Sequence, residues 1–261
     1  MQSKRRAALV IYEIKDRAAW LTINRPEKRN SLNLEIVNLL LHYMDEIQED
    51  DGVRALVITG AGEKAFCAGA DLSGMGSGAS PTDLPSQIGV LLKRLALFPK
   101  PTIARVNGDC MAGGMGMMLA CDMAYAREGV RLATPEVKVG LFPMMIGALI
   151  FRNVSRKKAL EMIYTGRPYS AAEAEDMGLI TRACPMDRLD EVVEETLSQI
   201  TANGPLAIKI GRETLHKVEY MDLDPAIDYL CYQLAHLIKT EDAAEGLKAF
   251  LEKRAPNWKG R

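Results

Sequence analysis

The stretch Thr102-Ile103-Ala104-Arg105-Val106-Asn107-Gly108-Asp109-Cys110-Met111-Ala112-Gly113-Gly114-Met115-Gly116 decides the fold class. Residues 102–106 follow the helix breaker Phe98-Pro99-Lys100-Pro101 and read as a buried strand. Asn107-Gly108 turns the chain, and a helix predicted over residues 112–120 opens on unusually small residues. The same alternation continues on both sides. Upstream, residues 53–59 after Gly52 read as a second buried strand, and residues 87–97 as a helix. Asn33 is placed to cap a helix running to about residue 50, with the stripe Ile36, Leu40, Tyr43 and Ile47 flanked by Val37, Leu41 and Met44. Residues 9–14 and 19–24, around Lys15-Asp16-Arg17-Ala18, predict a β-hairpin. Downstream, residues 123–126 and 131–133 are strand-like. Buried strands alternating with helices indicate parallel crossover units and the α/β class.

From residue 155 onward the pattern is helical. Ser170 with Glu173 forms a capping box and Gly178 supplies a stop. Residues 187–202 are amphipathic, Gly204-Pro205 starts another helix, Asp224 and Pro225 read as N-cap and N1 of the next, and a last one covers 241–254. The reading is an α/β region over residues 1–200 and a helical region over 201–261. Residues 72–86 are rich in Gly, Ser and Pro and read as a mobile loop, a common form of substrate lid.

A net charge of −1 gives no electrostatic reason for nucleic acid or a membrane surface as partner. No apolar run reaches the length of a membrane span. The basic start Met1-Gln2-Ser3-Lys4-Arg5-Arg6 leads into patterned chain rather than a signal peptide, so a cytoplasmic enzyme is expected. The five cysteines show no CxxC pair, which fits free thiols and no structural zinc. His42, His216 and His236 lie far apart in helical patterns, and nothing local builds a nucleophile triad around them.

Three glycine clusters carry the chemistry. Gly60-Ala61-Gly62-Glu63-Lys64-Ala65 mimics a dinucleotide turn, but Phe66-Cys67-Ala68-Gly69-Ala70-Asp71 after it is no helix. Ala68-Gly69-Ala70-Asp71-Leu72 lets a ligand approach the main chain closely. The Gly113-Gly114 pair at a helix start exposes free amides at the positive end of the helix dipole, suited to an anion or a developing oxyanion. Tight packing alone explains each of the last two clusters as well as ligand binding does; their combination is more specific.

With these stretches in order, the chain resembles the enoyl-CoA hydratase/isomerase (crotonase) superfamily. The resemblance rests on Asn24-Arg25-Pro26 with Asn30-Ser31-Leu32-Asn33, on Phe66 to Leu72, on Val106-Asn107-Gly108 through Gly113-Gly114 to Cys121-Asp122, and on Thr134-Pro135-Glu136 with Gly140-Leu141-Phe142-Pro143. Thr165-Gly166-Arg167 and Ala249 to Arg254 complete it, so it spans nearly the whole chain. It implies a crotonase-like spiral core of ββα units with a C-terminal helical trimerisation region, assembled as a homotrimer or a dimer of trimers. Leu230, Leu234, Leu237 and Ile238 are available for that packing.

The resemblance also implies roles. The amides of Ala70 and Gly113 would hold an acyl-thioester oxygen as it gains enolate charge, and Gly114 would permit close approach. Ala68, Asp71 and Leu72 would lie near the adenine end of CoA, and Lys28 and Arg29 near its phosphates. Phe250 and Lys253 would close the CoA site, in some relatives that of a neighbouring subunit. CoA is part of the substrate, so no separate cofactor is implied. Hydratases of the family use two glutamates; one matches Glu136, and the other position, three residues after Gly113, is Gly116. The glycine that helps hold the water is Met144. Asp122 is the structural residue of its Cys-Asp pair, and Glu161 and Glu173 belong to a helix face and a cap. The leading expectation is double-bond isomerisation of an enoyl-CoA with Glu136 alone, walled by Met115, Met117, Met118, Met144 and Met145 unless these are ordinary core. The alternatives are a 2-enoyl-CoA hydratase of fatty-acid or related acyl-CoA degradation, with a second group from residues 73–86, and an acyl-CoA-binding protein of little turnover.

Overall fold

The hairpin at the start of the chain seeds the larger of two sheets. In the computed structural model, which describes residues 8–71, 73 and 83–261, strands β1 (Val10–Lys15) and β2 (Ala18–Ile23) pair antiparallel. Asp16 and Arg17 both have positive φ, 47° and 65°, the turn geometry that matches strand twist. The sheet continues in parallel through β3 (Ala55–Gly60), β5 (Thr102–Val106), β7 (Met123–Arg127) and β10 (Arg182–Cys184). Helix α1 (Leu34–Glu49) carries the crossover from β2 to β3, and the Asn33 side chain accepts from the Ile36 amide as its cap.

Strands β4 (Ala65–Cys67), β6 (Asp109–Met111), β8 (Arg131–Ala133) and β9 (Tyr169–Ser170) form a smaller sheet in that order. The chain therefore visits the large sheet, then the small sheet, then a helix, and repeats. β3, β4 and α2 (Asp83–Ala96) make one turn of this spiral; β5, β6 and α3 (Gly113–Ala120) make the next. β7 and β8 lead through a 3-10 turn, Pro135–Val139, to α4 (Met144–Asn153). This is the ββα repeat expected above.

Alternation along the strands divides the core. Leu56 and Ile58 of β3 face the helices of the spiral, with Ile36, Leu40 and Met44. Ala55 and Val57 face the other side with Leu189, Val193 and Leu197 of α7 (Leu189–Ala202). Helices α5 (Arg156–Thr165) and α6 (Ala171–Asp176) precede β10, and α6 carries the Ser170–Glu173 capping box. Three helices finish the chain: α8 (Pro205–Val218), α9 (Leu223–Leu237) and α10 (Glu241–Glu252). Among the described residues no helix is long and apolar enough to cross a membrane.

Several boundaries differ from the sequence reading. β4 and β6 are strands of three residues, too short to show a period. α4 begins directly after Pro143, within chain that carries no capping residue. α2 starts at Asp83, four residues before the predicted helix. The N-cap of α9 is Asp222, so Pro225 is its third residue; a proline is tolerated there because amides of the first turn have no intrahelical partner. Met44 rather than Tyr43 completes the buried stripe of α1.

Asp122 anchors the C-terminal helices. It accepts from the Thr102 amide at 2.8 Å and from Arg212 of α8 at 2.7 Å, and Arg212 also donates to the carbonyls of Ala96 and Phe98. The Arg212 side chain is 10% exposed. Arg212→Ala is expected to lower unfolding free energy by about 2 kcal/mol in urea titration, as loss of hydrogen bonds to a charged group does.

Candidate active site

Three parallel strands of the small sheet end side by side, and the chain leaving each one supplies part of the site. Cys67 of β4 lies beside Cys110 of β6, and Met111 of β6 beside Ala133 of β8. The next residues are Ala68-Gly69-Ala70-Asp71, Ala112-Gly113 and Thr134-Pro135-Glu136. The Ala112 amide donates to the Ala133 carbonyl at 2.9 Å and holds the second and third turns together.

The first turn is clamped by its backbone. The Ala68 amide donates to Arg29 O at 3.0 Å, the Leu32 amide to Gly69 O at 2.8 Å and the Asp71 amide to Leu32 O at 2.7 Å. The Ala70 amide has no acceptor among the described residues. Gly69 has φ +93°, and a Cβ there would stand 2.8 Å from Ala112 Cβ and 3.0 Å from the Gly113 nitrogen. Only glycine allows the two turns to approach this closely.

The second turn is strained. Ala112 has φ 49° and ψ −120°, a conformation that costs an L-residue energy and is kept where surrounding structure enforces it. Its ψ sets the direction of the Gly113 amide, which is also free of an acceptor among the described residues. A Cβ placed on Gly113 would lie 3.6 Å from the Ala70 nitrogen, so the two free amides are neighbours. A Cβ on Gly114 would collide with the Cys67 carbonyl oxygen, and its absence lets α3 start against β4. Two free amides at a helix start suit an oxygen that gains negative charge.

The third turn carries Glu136. Gly140 and Leu141 donate their amides to the Glu136 carbonyl and fix its backbone. The Glu136 side chain is half-buried, and its Oε2 is buried with no partner among the described residues. Burial pushes its pKa above the ordinary glutamate value of 4.5. The Thr134 hydroxyl is also buried and unpartnered. A half-buried carboxyl of raised pKa on the turn adjoining the one that bears the Gly113 amide suits proton transfer next to a carbonyl that the amides polarise.

Gly116 is buried and enclosed. A Cβ there would be 3.1 Å from Leu92 Cδ1 and 3.2 Å from Ile146 Cγ1, so apolar side chains of α2 and α4 pack against this position and would have to shift slightly for any side chain. Met115, Met117 and Met118 are core residues, at most 1% exposed. Met144, by contrast, is 74% exposed at the start of α4. The methionine wall is thus mainly ordinary packing.

Asp71 does not offer a free carboxylate. Ser73 and Arg25 both donate to it, Arg25 at 2.6 Å, and these contacts push its pKa down to about 2. Lys28 and Arg29 are exposed beside the first turn and form no ion pair among the described residues. Leu72 and most of the expected lid lie outside the described residues. Phe250, 80% exposed, and Lys253 stand at the end of α10 and face solvent within the single chain. Gly60 leads into β4, not into a helix, so the first glycine cluster forms no dinucleotide turn.

Four residues of the surroundings escaped sequence reasoning. Asn30, fully buried, donates to Ala65 O and Ala61 O and accepts from the Arg25 amide. Its place within Asn24-Arg25-Pro26 and Asn30-Ser31 was a signal without a role; Arg25 was in the same position. Leu92 and Ile146 have no local signal, because they look like any core residue.

Asp71 makes a pH prediction. Its folded pKa is held below the ordinary 3.8, so its contribution to stability is present above that value and is lost as pH falls toward about 2. Melting temperatures between pH 5 and 2 are expected to fall more steeply in the wild type than in Asp71→Asn.

The enoyl-CoA hydratase/isomerase family profile matches residues 13–261. A putative enoyl-CoA hydratase of Thermus thermophilus is 36% identical over 252 residues, covering 94% of this chain and 98% of the relative. The short-chain-enoyl-CoA hydratase of Clostridium acetobutylicum is 33% identical over 250 residues, covering 94% and 95%. The crystal structure of an enoyl-CoA hydratase from Bacillus anthracis superposes with a TM-score of 0.92 at 33% identity, covering 97% of this chain and 100% of that one.

Proposed function

Because the chain belongs to the enoyl-CoA hydratase/isomerase family, we propose that it shifts the double bond of an enoyl-CoA, with Glu136 as the single acid–base group. The fold is the crotonase fold, and an acyl-CoA substrate follows from the family. The thioester oxygen sits between the amides of Ala70 and Gly113. Glu136 removes a proton from C2 of a 3-enoyl-CoA, the electrons move onto that oxygen as an enolate, and the protonated Glu136 returns the proton at C4. One preorganised amide of this kind is worth about 3 kcal/mol in the barrier.

The observation that carries this reading is the filled space at Gly116. A hydratase of this family uses a second glutamate there to handle the attacking water, and here Leu92 and Ile146 stand within 3.2 Å of where its Cβ would be. Hydration is the second reading, favoured by the names of the relatives, which include a short-chain-enoyl-CoA hydratase. Lys28, Arg29, Ala68 and Leu72 are proposed to border CoA, with Asp71 holding the turn through Arg25 rather than touching the ligand. Phe250 and Lys253, exposed at the end of α10, are proposed to close the CoA site of a neighbouring subunit. That fits a homotrimer or dimer of trimers, an assembly also supported by the exposed Leu234, Ile238, Leu247 and Phe250.

Crotonyl-CoA and a 3-enoyl-CoA offered side by side to the purified protein separate the readings. Isomerisation is expected to be the faster reaction, and rapid hydration of crotonyl-CoA would overturn it. Glu136→Gln is expected to abolish turnover with the fold intact. In the wild type, kcat/KM should fall on the acid side with a midpoint above 4.5, since the carboxylate is the active form and burial raises its pKa.

Gly113→Ala tests the amides. The added methyl meets only ordinary contacts of 3.4–3.7 Å, so the protein should fold, but the methyl lies beside the Ala70 amide. A loss of roughly 100-fold in kcat is expected, the scale of one lost oxyanion donor.

A further inference from the structure

Cys67 is the last residue of β4 and stands between the two amide turns. It is fully buried, and a Cβ on Gly114 would be 2.9 Å from its own Cβ, so it lies directly against the start of α3. Its thiol reaches into the first turn: the Gly69 amide donates to Cys67 Sγ at 3.3 Å. The amides of that turn are then accounted for one by one. Ala68 donates to Arg29 O, Gly69 to the Cys67 thiol and Asp71 to Leu32 O. The Ala70 amide between them is left without an acceptor among the described residues.

Gly69 is the joint of this turn. With φ at +93° and no side chain, it leaves the two peptide planes that meet there free to rotate unless something else holds them. The plane that follows carries the Ala70 amide. Its carbonyl accepts from the Leu32 amide at 2.8 Å, and in a trans peptide the N–H points the opposite way. The plane that precedes carries the Gly69 amide, whose one partner among the described residues is the thiol. Released from the thiol, a buried amide would seek another acceptor, and the oxygen bound at Ala70 would be one. Burial pushes the Cys67 pKa up to about 12, so the thiol stays uncharged at neutral pH and is a poor nucleophile. Resting on the reading of an acyl thioester held at Ala70 and Gly113, we propose that Cys67 is a positioning residue, whose thiol fixes the Gly69 peptide and keeps Ala70 the one free amide of the first turn. It acts through the main chain and touches no reacting atom. Cys110 lies beside Cys67 on β6, is equally buried and makes no hydrogen bond through its thiol among the described residues. It is the internal control.

Cys67→Ala, Cys67→Ser and Cys110→Ala test this, with melting curves to show that each folds; should Cys67→Ala not fold, Cys67→Val removes the acceptor without leaving a cavity. On whichever enoyl-CoA the wild type turns over, Cys67→Ala is expected to lower kcat by about fivefold or more with KM little changed, because the lost constraint acts on charge that develops in the reaction. Cys67→Ser restores an acceptor and should recover most of the wild-type kcat. Cys110→Ala removes the same buried group without freeing an amide, and its kcat should stay within about twofold of the wild type. The infrared carbonyl band of bound butyryl-CoA reads the two amides without turnover. Its shift to lower frequency on binding is expected to shrink in Cys67→Ala and to persist in the other two variants. A wild-type kcat and band in folded Cys67→Ala would overturn the proposal. Equal losses in Cys67→Ala and Cys110→Ala would overturn it too, since they mark a packing effect. If the wild type does not bind butyryl-CoA, or binds it with no band shift, the reading of the two amides fails and the role of Cys67 falls with it. If the wild type shows the shift and Cys67→Ala keeps it, only the Cys67 proposal fails.

Discussion

The approach of Gly69 to Gly113 is the constraint on which the rest of the site depends. Two turns from different strands must come within contact distance while their amides stay free, and each backbone group around them must find another partner. The small sheet accomplishes this. Its parallel ladder brings the ends of β4, β6 and β8 into one row, and the bond from Ala112 to Ala133 sets the spacing between the second and third turns. The strained Ala112 conformation is the local cost of aiming the Gly113 amide. A loop without the ladder behind it would relax that conformation.

Support for the first turn comes from far along the chain. Asn30 bridges the segment before α1 to the carbonyls of Ala61 and Ala65, Arg25 reaches Asp71, and the backbone of Leu32 pairs on both sides of Ala70. Every bond in this set avoids the Ala70 amide. Polar groups that look like candidate ligands for substrate, such as Asp71, are therefore part of the frame that orders the main chain. The same holds for Asp122, which joins β5 to α8.

Much of this was legible in the residues. Buried strands β3 and β5 and the cap at Asn33 follow from local pattern, and the glycine clusters mark both amide turns. What escaped reading has a common physical origin. β4 and β6 are too short for periodicity, α4 has no cap to announce it, and Leu92 and Ile146 act through where they stand rather than what they are. Sequence could say that Gly116 lacks a carboxylate. It could not say whether the space was empty, wet or filled, because that depends on helices 24 residues upstream and 30 downstream.

The filled space changes the electrostatic argument about Glu136. With a second carboxylate nearby, mutual repulsion would raise one of the two pKa values and the pair would share its protons. Here burial is the leading cause of the shift, and Oε2 has no partner among the described residues. Burial raises the pKa of a carboxyl because its charged form loses hydration, so the protonated form is easier to hold. The proposed isomerisation keeps one proton between its removal at C2 and its return at C4, whereas adding water to the double bond requires an ordered water and a group to activate it. Glycine at position 116, with Leu92 and Ile146 packed against it, leaves Glu136 as the one carboxylate that the proposed isomerisation needs.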